Sequence, residues 1–385
     1  MSLTVCLGAA SIDYPEGGGH LWVYLNWALG LRALGCEVVW LEAVDPTLPL
    51  DKVSTLLATL KSRLQPYGLA GQIALCSMTD EPLHSTLTSP CVNAEEAYRA
   101  DLLLNLAYAT DGIRPDRFRR SAMIDIDPGI LQIWMTQGLA PIPRHDVYFT
   151  IGETVGRPEA RFPSAGLNWE YTPPCVALDS WPVQAASADA PFTTVSHWTS
   201  GDWFDYGGQL YRNDKRSGFL PFLDLPRRTA QPLELAICLR ADENLRLTAD
   251  EEEERSNLEQ KGWCVRHAHS VAVTPWDYQR YIAGSRGEFS CAKPSCAGLQ
   301  NAWISDRTLC YLASGKPAVI QHTGPSRFLP DAAGVFRFHD VDEAARYLET
   351  VAADYDRQCR VARELAEEFF SATRVIPRVL ERSLG

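Results

Sequence analysis

Apolar and polar positions along this chain alternate between short hydrophobic runs and longer segments with helical spacing. In the first half the apolar runs predict strands at residues 3–9, 37–41, 73–76, 102–106, 122–126 and 147–151. The segments between them predict helices at 21–34, 51–64 and 94–100. Continuous apolar strands flanked by helices are typical of a parallel sheet covered on both faces.

The alternation stops at residues 168–190, where prolines and small residues predict a connector, and it then resumes. Further strands are expected at 192–196, 233–239, 263–266, 287–289, 318–321 and 334–338, and further helices at 217–223, 249–260, 274–283 and 306–314. The expected fold class is α/β, with two doubly wound parallel-sheet domains facing across a cleft and a helical C-terminal tail. The expected domains are 1–180 and 181–365, followed by a C-terminal helix, 366–385, that could cross back to the first domain.

Length and composition narrow the classes of function. At 385 residues the chain exceeds the usual size of one domain, and 46% apolar residues indicate a globular protein. A net charge of −12 argues against nucleic acid as a partner. The apolar stretch 21–34 is too short to cross a bilayer, so we expect no integral membrane segment. Eleven cysteines scattered singly suggest reduced thiols and a cytoplasmic location.

Two stretches about 290 residues apart place backbone amides at a predicted helix N-terminus. The first is Gly17-Gly18-Gly19-His20 after the first strand, and the second begins at Ser305. The partial positive charge of a helix N-terminus favours an anion there. We therefore expect transfer of a group from a diphosphate donor.

The residues from Ser305 to Val319, with the loop that follows them, resemble the donor-binding helix and strand of GT-B-type nucleotide-sugar glycosyltransferases. The glycine-rich start with His20 is similar to enzymes of that type that glycosylate small molecules. The resemblance implies that domain 1–180 binds the acceptor and domain 181–365 binds the donor. It implies a nucleoside-diphosphate sugar as co-substrate and no other cofactor. At the position where the family usually has a ribose-binding glutamate this chain has Cys310, so the ribose contact is expected to move, with Asp306 as the candidate.

The catalytic candidates are His20, as general base, and Asp111, as the carboxylate that orients it. The alternatives are a histidine that only begins a helix and an aspartate in an ordinary Asp-Gly turn. Asp125 and Asp127 form a D-x-D triplet, but a strand end explains them more simply, so no metal site is predicted and Asp127 is assigned to the acceptor side with Gly18 and Gly19.

The donor-binding candidates are cations, hydroxyls and a glycine loop around the resembling segment. A departing diphosphate needs positive charge or helix amides, and serine or threonine at a helix start could bind it or act only as caps. The residues so assigned are Arg212, Lys215, Lys293, Ser305, Asp306, Arg307, Thr308, His322, Thr323 and Gly324. Cys264, His267 and His269 are metal ligands by type, but their spacing does not match a closed zinc site.

The function expected from these observations is transfer of a sugar to a small-molecule acceptor, by an inverting and metal-independent reaction with His20 as base. A retaining transferase and a sugar-nucleotide epimerase use the same fold and stay as alternatives. A binding protein without catalysis is the third alternative, because Cys310 replaces the usual carboxylate.

Overall fold

The computed structural model describes residues 2–108, 110–201, 203–239, 247–329 and 333–385. The chain divides into two compact units. The first contains residues 1–158, 162–177 and 370–385, and the second contains 159–161 and 178–369. Each unit has its own parallel sheet, so the expected α/β class with two such sheets is confirmed.

The strands in the described residues form the two sheets and one separate hairpin. In chain order they are β1 Thr4–Ala9, β2 Glu37–Val44, β3 Ile73–Ser77, β4 Leu102–Asn105, β5 Ser121–Asp125, β6 Val147–Thr150, β7 Trp169–Tyr171, β8 Phe192–His197, β9 Phe204–Tyr206, β10 Gln209–Tyr211, β11 Leu233–Cys238, β12 Cys264–His267, β13 Gly287–Ser290, β14 Ala318–Gln321 and β15 Val335–Phe338.

Helices connect the strands and form the end of the chain. In chain order they are α1 Gly18–Ala33, α2 Leu50–Leu64, α3 Ser85–Thr88, α4 Ala94–Ala97, α5 Ile130–Thr136, α6 Lys215–Phe219, α7 Ala249–Gln260, α8 His269–Ala272, α9 Pro275–Gly284, α10 Pro294–Leu299, α11 Asp306–Ala313, α12 Val341–Ala353, α13 Tyr355–Leu365 and α14 Ala372–Leu384. In the ranges that the structure describes, no helix is both long enough and apolar enough to span a membrane.

Both sheets are doubly wound. In the first unit the strand order is β3-β2-β1-β4-β5-β6-β7, and every neighbouring pair is parallel. In the second unit the order is β12-β11-β8-β13-β14-β15, again with parallel pairs. The chain changes winding direction between β1 and β4 and between β8 and β13. Open α/β sheets bind ligands at such points, beyond the carboxyl ends of the strands.

The hydrophobic pattern explains why these segments become strands and helices. Leu7 and Leu103, on neighbouring strands, are fully buried, as central strands covered on both faces require. A capping box begins α7, since Thr248 Oγ1 accepts from the amide of Glu251 and the Glu251 carboxylate accepts from the amide of Thr248. The predicted strands agree with the structure to within one residue at each end, except that β2 continues to Val44; the helices α1, α4 and α6 differ by three or four residues at one end.

Three local predictions were incomplete or wrong. The connector contains a short strand, β7, which adds to the edge of the first sheet. The antiparallel hairpin β9–β10 was missed; Gly207 and Gly208 form its turn, both with positive φ, as such tight turns require. His269, which was grouped with His267 as a metal ligand by type, does not continue that strand but begins α8.

The last helix belongs to the first unit. α14 packs on α1, and Gly30 allows their close approach, because a Cβ at that position would lie 2.5 Å from the Cβ of Ala372 and 2.6 Å from Cδ1 of Ile376. The chain thus returns to the first unit after completing the second.

Candidate active site

A small pocket lies beyond the carboxyl ends of β13 and β14 in the second sheet. Its walls come from the ends of β13 and β14, the segment before α11 and the first turn of that helix. The lining residues are Ser290, Cys291, Ala292, Trp303, Ile304, Ser305, Arg307, Thr308, Ile320, Gln321 and Thr323. Four of the predicted donor-binding residues, Ser305, Arg307, Thr308 and Thr323, are therefore brought together in one pocket.

Lys215 lies beside this pocket with its ammonium group buried. It is 7% exposed, its Nζ donates to the carbonyl oxygen of Cys291 at 2.6 Å, and the same atom lies 5.7 Å from the ring centre of Trp303. Burial, and after it repulsion from Arg307, lowers the pKa of Lys215 to about 7. Within the described part of the chain, no carboxylate pairs with this ammonium group.

Arg307 has a different environment, because its charge is already compensated. Its Nε donates to the Glu288 carboxylate at 2.8 Å, and its two terminal nitrogens donate to the carbonyl oxygen of Val195 at 2.9 Å and to Ser290 Oγ at 2.5 Å. Glu288 is completely buried. The guanidinium therefore links the carboxyl ends of β8 and β13, while it also lines the pocket.

The start of α11 is capped by its own side chain. Ser305 Oγ accepts from the amide of Arg307 at 3.3 Å, which is the capping role considered from the sequence. Thr308 is buried and Asp306 is half-buried in the first turn. Cys310 is 1% exposed and is not among the pocket's lining residues.

The glycine loop after β14 packs against the segment before α11. Thr323 Oγ1 donates to the carbonyl oxygen of Trp303 at 2.6 Å. Gly324 has a φ of +141°, and a Cβ there would lie 2.6 Å from the carbonyl oxygen of Gln300. His322 Nδ1 accepts from the amide of Gly324 at 3.2 Å. The side chain of His322 is thus used to shape the loop.

Two predicted cations lie apart from the pocket lining. The Arg212 guanidinium is exposed, lies 5.2 Å from the ring centre of Trp203 and lines a separate surface pocket with Leu210 and Leu220. Lys293 is the half-buried residue before α10, and its charge contributes to the lowered pKa of Lys215.

Sequence reasoning missed Ser290, Trp303 and Gln321 as pocket residues. Ser290 and Gln321 are the last residues of β13 and β14, and Gln321 Oε1 accepts from the amide of Ala292 at 2.9 Å. Polar residues at the carboxyl ends of parallel strands are a signal that could have identified both.

His20 lies in the first turn of α1, next to the winding point of the first sheet. Its Nε2 lies 2.7 Å from the carbonyl oxygen of Ala10, and its ring contacts those of Tyr14 and Tyr24. Since a carbonyl can only accept, Nε2 carries the proton and Nδ1 carries the lone pair. Burial lowers the pKa of His20, although the bond to Ala10 opposes this effect. Gly18 and Gly19 form the same first turn of the helix.

Asp111 lies in an exposed turn, and Gly112 beside it has a φ of +92°. In the described ranges, no carboxylate hydrogen-bonds to the His20 ring, so the expected histidine–aspartate pair is not formed in this structure.

Asp125 and Asp127 have different environments despite their spacing. Asp125 is completely buried and accepts from Gln132 at 2.7 Å and Thr150 at 2.8 Å, while Asp127 is exposed. Burial raises the pKa of Asp125 to about 7. Across the residues that the structure describes, no group of three or more histidine, cysteine, aspartate or glutamate side chains is arranged to hold a metal.

The same fold occurs in solved structures of glycosyltransferases and related enzymes. Sucrose-phosphate synthase from Thermosynechococcus elongatus is similar, with a TM-score of 0.53 and 11% identity over 99% of this chain and 98% of that chain. HepE of Anabaena in complex with UDP-glucose has a TM-score of 0.56 and 12% identity, covering 99% of both chains. An alpha-glucosyltransferase in complex with UDP-glucose and DNA containing an abasic site has a TM-score of 0.60 and 12% identity, covering all of both chains.

At these identities the similarity shows the fold, which is that of GT-B-type glycosyltransferases, as the sequence resemblance predicted. No protein-family model matches this chain, and no curated protein sequence matches it.

Proposed function

We propose that this protein is a glycosyltransferase that moves a sugar from a nucleoside-diphosphate sugar to a small-molecule acceptor. The observation that carries the proposal is the Lys215 ammonium group, which is buried beside a polar pocket and bonded only to a neutral carbonyl and an aromatic face among the described residues. A buried cation without a counter-charge is costly, and an anionic ligand removes that cost. The solved relatives that hold UDP or UDP-glucose support a diphosphate as that anion.

In this proposal the second unit binds the donor. Lys215 neutralises the diphosphate, the hydroxyls of Ser305 and Thr308 and the first amides of α11 hydrogen-bond its oxygens, and Thr323 and Gly324 contact the sugar. Arg307 adds positive charge to the pocket wall while it remains paired with Glu288. Positive charge placed in advance favours departure of the nucleoside diphosphate.

The acceptor is activated by His20 in this proposal. The lowered pKa keeps the imidazole neutral at pH 7, and its Nδ1 can take the acceptor's proton as the hydroxyl attacks the sugar. Direct attack inverts the configuration at the sugar carbon. Because no aspartate orients His20 among the described residues, a retaining reaction is the second candidate, and the configuration of the product decides between them.

The net charge of the protein indicates which class of acceptor it can bind. One similar structure contains DNA, but the net charge of −12 disfavours a polyanionic acceptor for this chain. We therefore propose a neutral or cationic small molecule.

Nucleotide binding tests the proposal directly. UDP, ADP, GDP and CDP, and their glucose conjugates, are screened for thermal stabilisation of the wild type, of Lys215→Met and of Lys261→Met. Lys261 is the matched control, since it forms an ion pair with Asp224 in the same unit. The proposal requires at least one nucleotide to stabilise the wild type and the control but not Lys215→Met.

Turnover then distinguishes an enzyme from a binding protein. With the nucleotide sugar identified in this way, release of nucleoside diphosphate is followed with a panel of alcohol and phenol acceptors. Stabilisation without any release would support a non-catalytic binding protein. His20→Gln is expected to lower kcat by about 100-fold or more if the imidazole is the base.

A further inference from the structure

We propose that Glu42 is the positioning residue of the first unit, which sets the orientation of the His20 ring through the loop at residues 10–12. The catalytic value of that orientation rests on the proposed role of His20 as a base. The positioning itself does not, and it can be measured separately.

Glu42 lies on β2, beside the carboxyl end of β1, and is completely buried. Its two carboxylate oxygens accept from the backbone amides of Ser11, at 3.2 and 3.0 Å, and of Ile12, at 3.1 Å. They also accept from the Ser11 hydroxyl and from Nε1 of Trp40, the latter at 2.7 Å. One side chain therefore holds the backbone of the loop that follows β1.

The residue before these two amides is Ala10, whose carbonyl oxygen accepts from His20 Nε2 at 2.7 Å. Fixing the amide of Ser11 also fixes the peptide plane that contains the carbonyl of Ala10, because the two groups belong to the same peptide bond. Glu42 therefore determines where that carbonyl lies, and with it which ring nitrogen of His20 carries the proton.

A series of aromatic contacts also connects Glu42 to His20, independently of the loop at residues 10–12. The Trp40 ring, whose Nε1 bonds to Glu42, packs edge-on against Tyr24 with centres 5.9 Å apart. Tyr24 in turn packs edge-on against His20 at 5.3 Å. The loop and the ring stack thus fix two edges of the imidazole, and both depend on the position of Glu42.

A carboxamide cannot fully replace this carboxyl group, since the backbone amides of Ser11 and Ile12 and Nε1 of Trp40 can only donate. In Glu42→Gln the amide nitrogen must face at least one of these donors, so part of the set is lost. The loop is then released, the carbonyl of Ala10 moves, and the imidazole is no longer held as a single tautomer.

Nitrogen-15 NMR of the histidine side chains tests this prediction, with the signal of His20 assigned by its loss in His20→Gln. In the wild type we expect a single tautomer with the proton on Nε2. In Glu42→Gln we expect a mixture of both tautomers and a titration midpoint moved by at least half a pH unit. Glu37→Gln is the matched control, because Glu37 lies on the same strand but is exposed.

An unchanged tautomer and midpoint in folded Glu42→Gln would overturn the proposal. If that variant does not fold, Ser11→Ala removes only the hydroxyl bond, and a smaller change in the same direction is required; no change there also overturns it. In turnover assays, Glu42→Gln should lower kcat by about 10- to 100-fold with the donor KM within twofold. A changed tautomer with unchanged kcat would uphold the positioning and reject His20 as the base.

Discussion

The buried pair of Arg307 and Glu288 gives the most quantitative prediction. The side chain of Glu288 is inaccessible to solvent and that of Arg307 is 10% exposed. Glu288 Oε2 has no hydrogen-bond partner within the described residues, so the carboxylate depends on Arg307 for its compensation. Arg307→Met leaves this charge buried and alone.

Removing one partner of a buried ion pair costs about 3–5 kcal/mol of unfolding free energy. For a unit of this size each kcal/mol lowers Tm by about 2–4 °C, so Arg307→Met should lower the Tm of the second unit by roughly 6–20 °C. Combining it with Glu288→Gln removes the buried charge and should restore more than half of the loss.

Urea unfolding of the wild type, both single variants and the double variant measures these values, with tryptophan fluorescence as the signal. A coupling free energy below about 1 kcal/mol would refute the reasoning, because it would show that the pair is hydrated in solution. A double variant that is no more stable than Arg307→Met would also refute it.

Three further predictions follow from individual side chains. The pKa of free Lys215 is lowered to about 7, and a diphosphate binds the ammonium form of this side chain. UDP affinity, measured by calorimetry, should therefore weaken by up to about tenfold per pH unit above pH 7. Lys215→Met should lack this pH dependence, and identical pH profiles of the two proteins would contradict the prediction. The pKa of Asp125 is raised to about 7, so the native state holds a proton that the unfolded state loses from about pH 4. The difference in unfolding free energy between the wild type and Asp125→Asn, measured in urea, should therefore change against the wild type by up to about 4 kcal/mol between pH 4 and 7. A difference that stays constant with pH would show that the pKa of Asp125 is not raised. Gly324→Ala should lower Tm more than Gly284→Ala, since only the first Cβ meets backbone atoms within 3 Å, and equal melting curves would disprove that contact.

The periodicity of apolar residues was sufficient to predict the architecture. Strands such as β1 and β11, which are buried at five of their six residues, consist mostly of apolar residues, and this signal does not depend on partners distant in sequence. The three-residue strands β7, β9 and β10 were missed because a segment of that length has too few positions to show alternation. The strand predicted at 37–41 ended before Glu42, where a buried charge interrupts the apolar run and only the loop after β1 explains its burial.

The site was predictable in composition but not in pairing. Ser305, Thr308 and Thr323 follow from a helix start and a strand end, and the structure brings all three to one pocket. The different environments of Lys215 and Arg307 could not be predicted, since they depend on Glu288, whose contact with Arg307 exists only when β13 and α11 pack. The environment of His20 likewise depends on the position of the loop after β1, which Glu42 on the distant strand β2 contacts.

The return of α14 to the first unit has a consequence for the order of folding during synthesis. Every residue of the second unit leaves the ribosome before Ala372 does, whereas the first unit must wait for that helix to cover α1. Until then the apolar groove around Gly30 is exposed to water and to other nascent chains. The first unit is thus completed after the second, and its uncovered α1 is prone to misassociation during that interval.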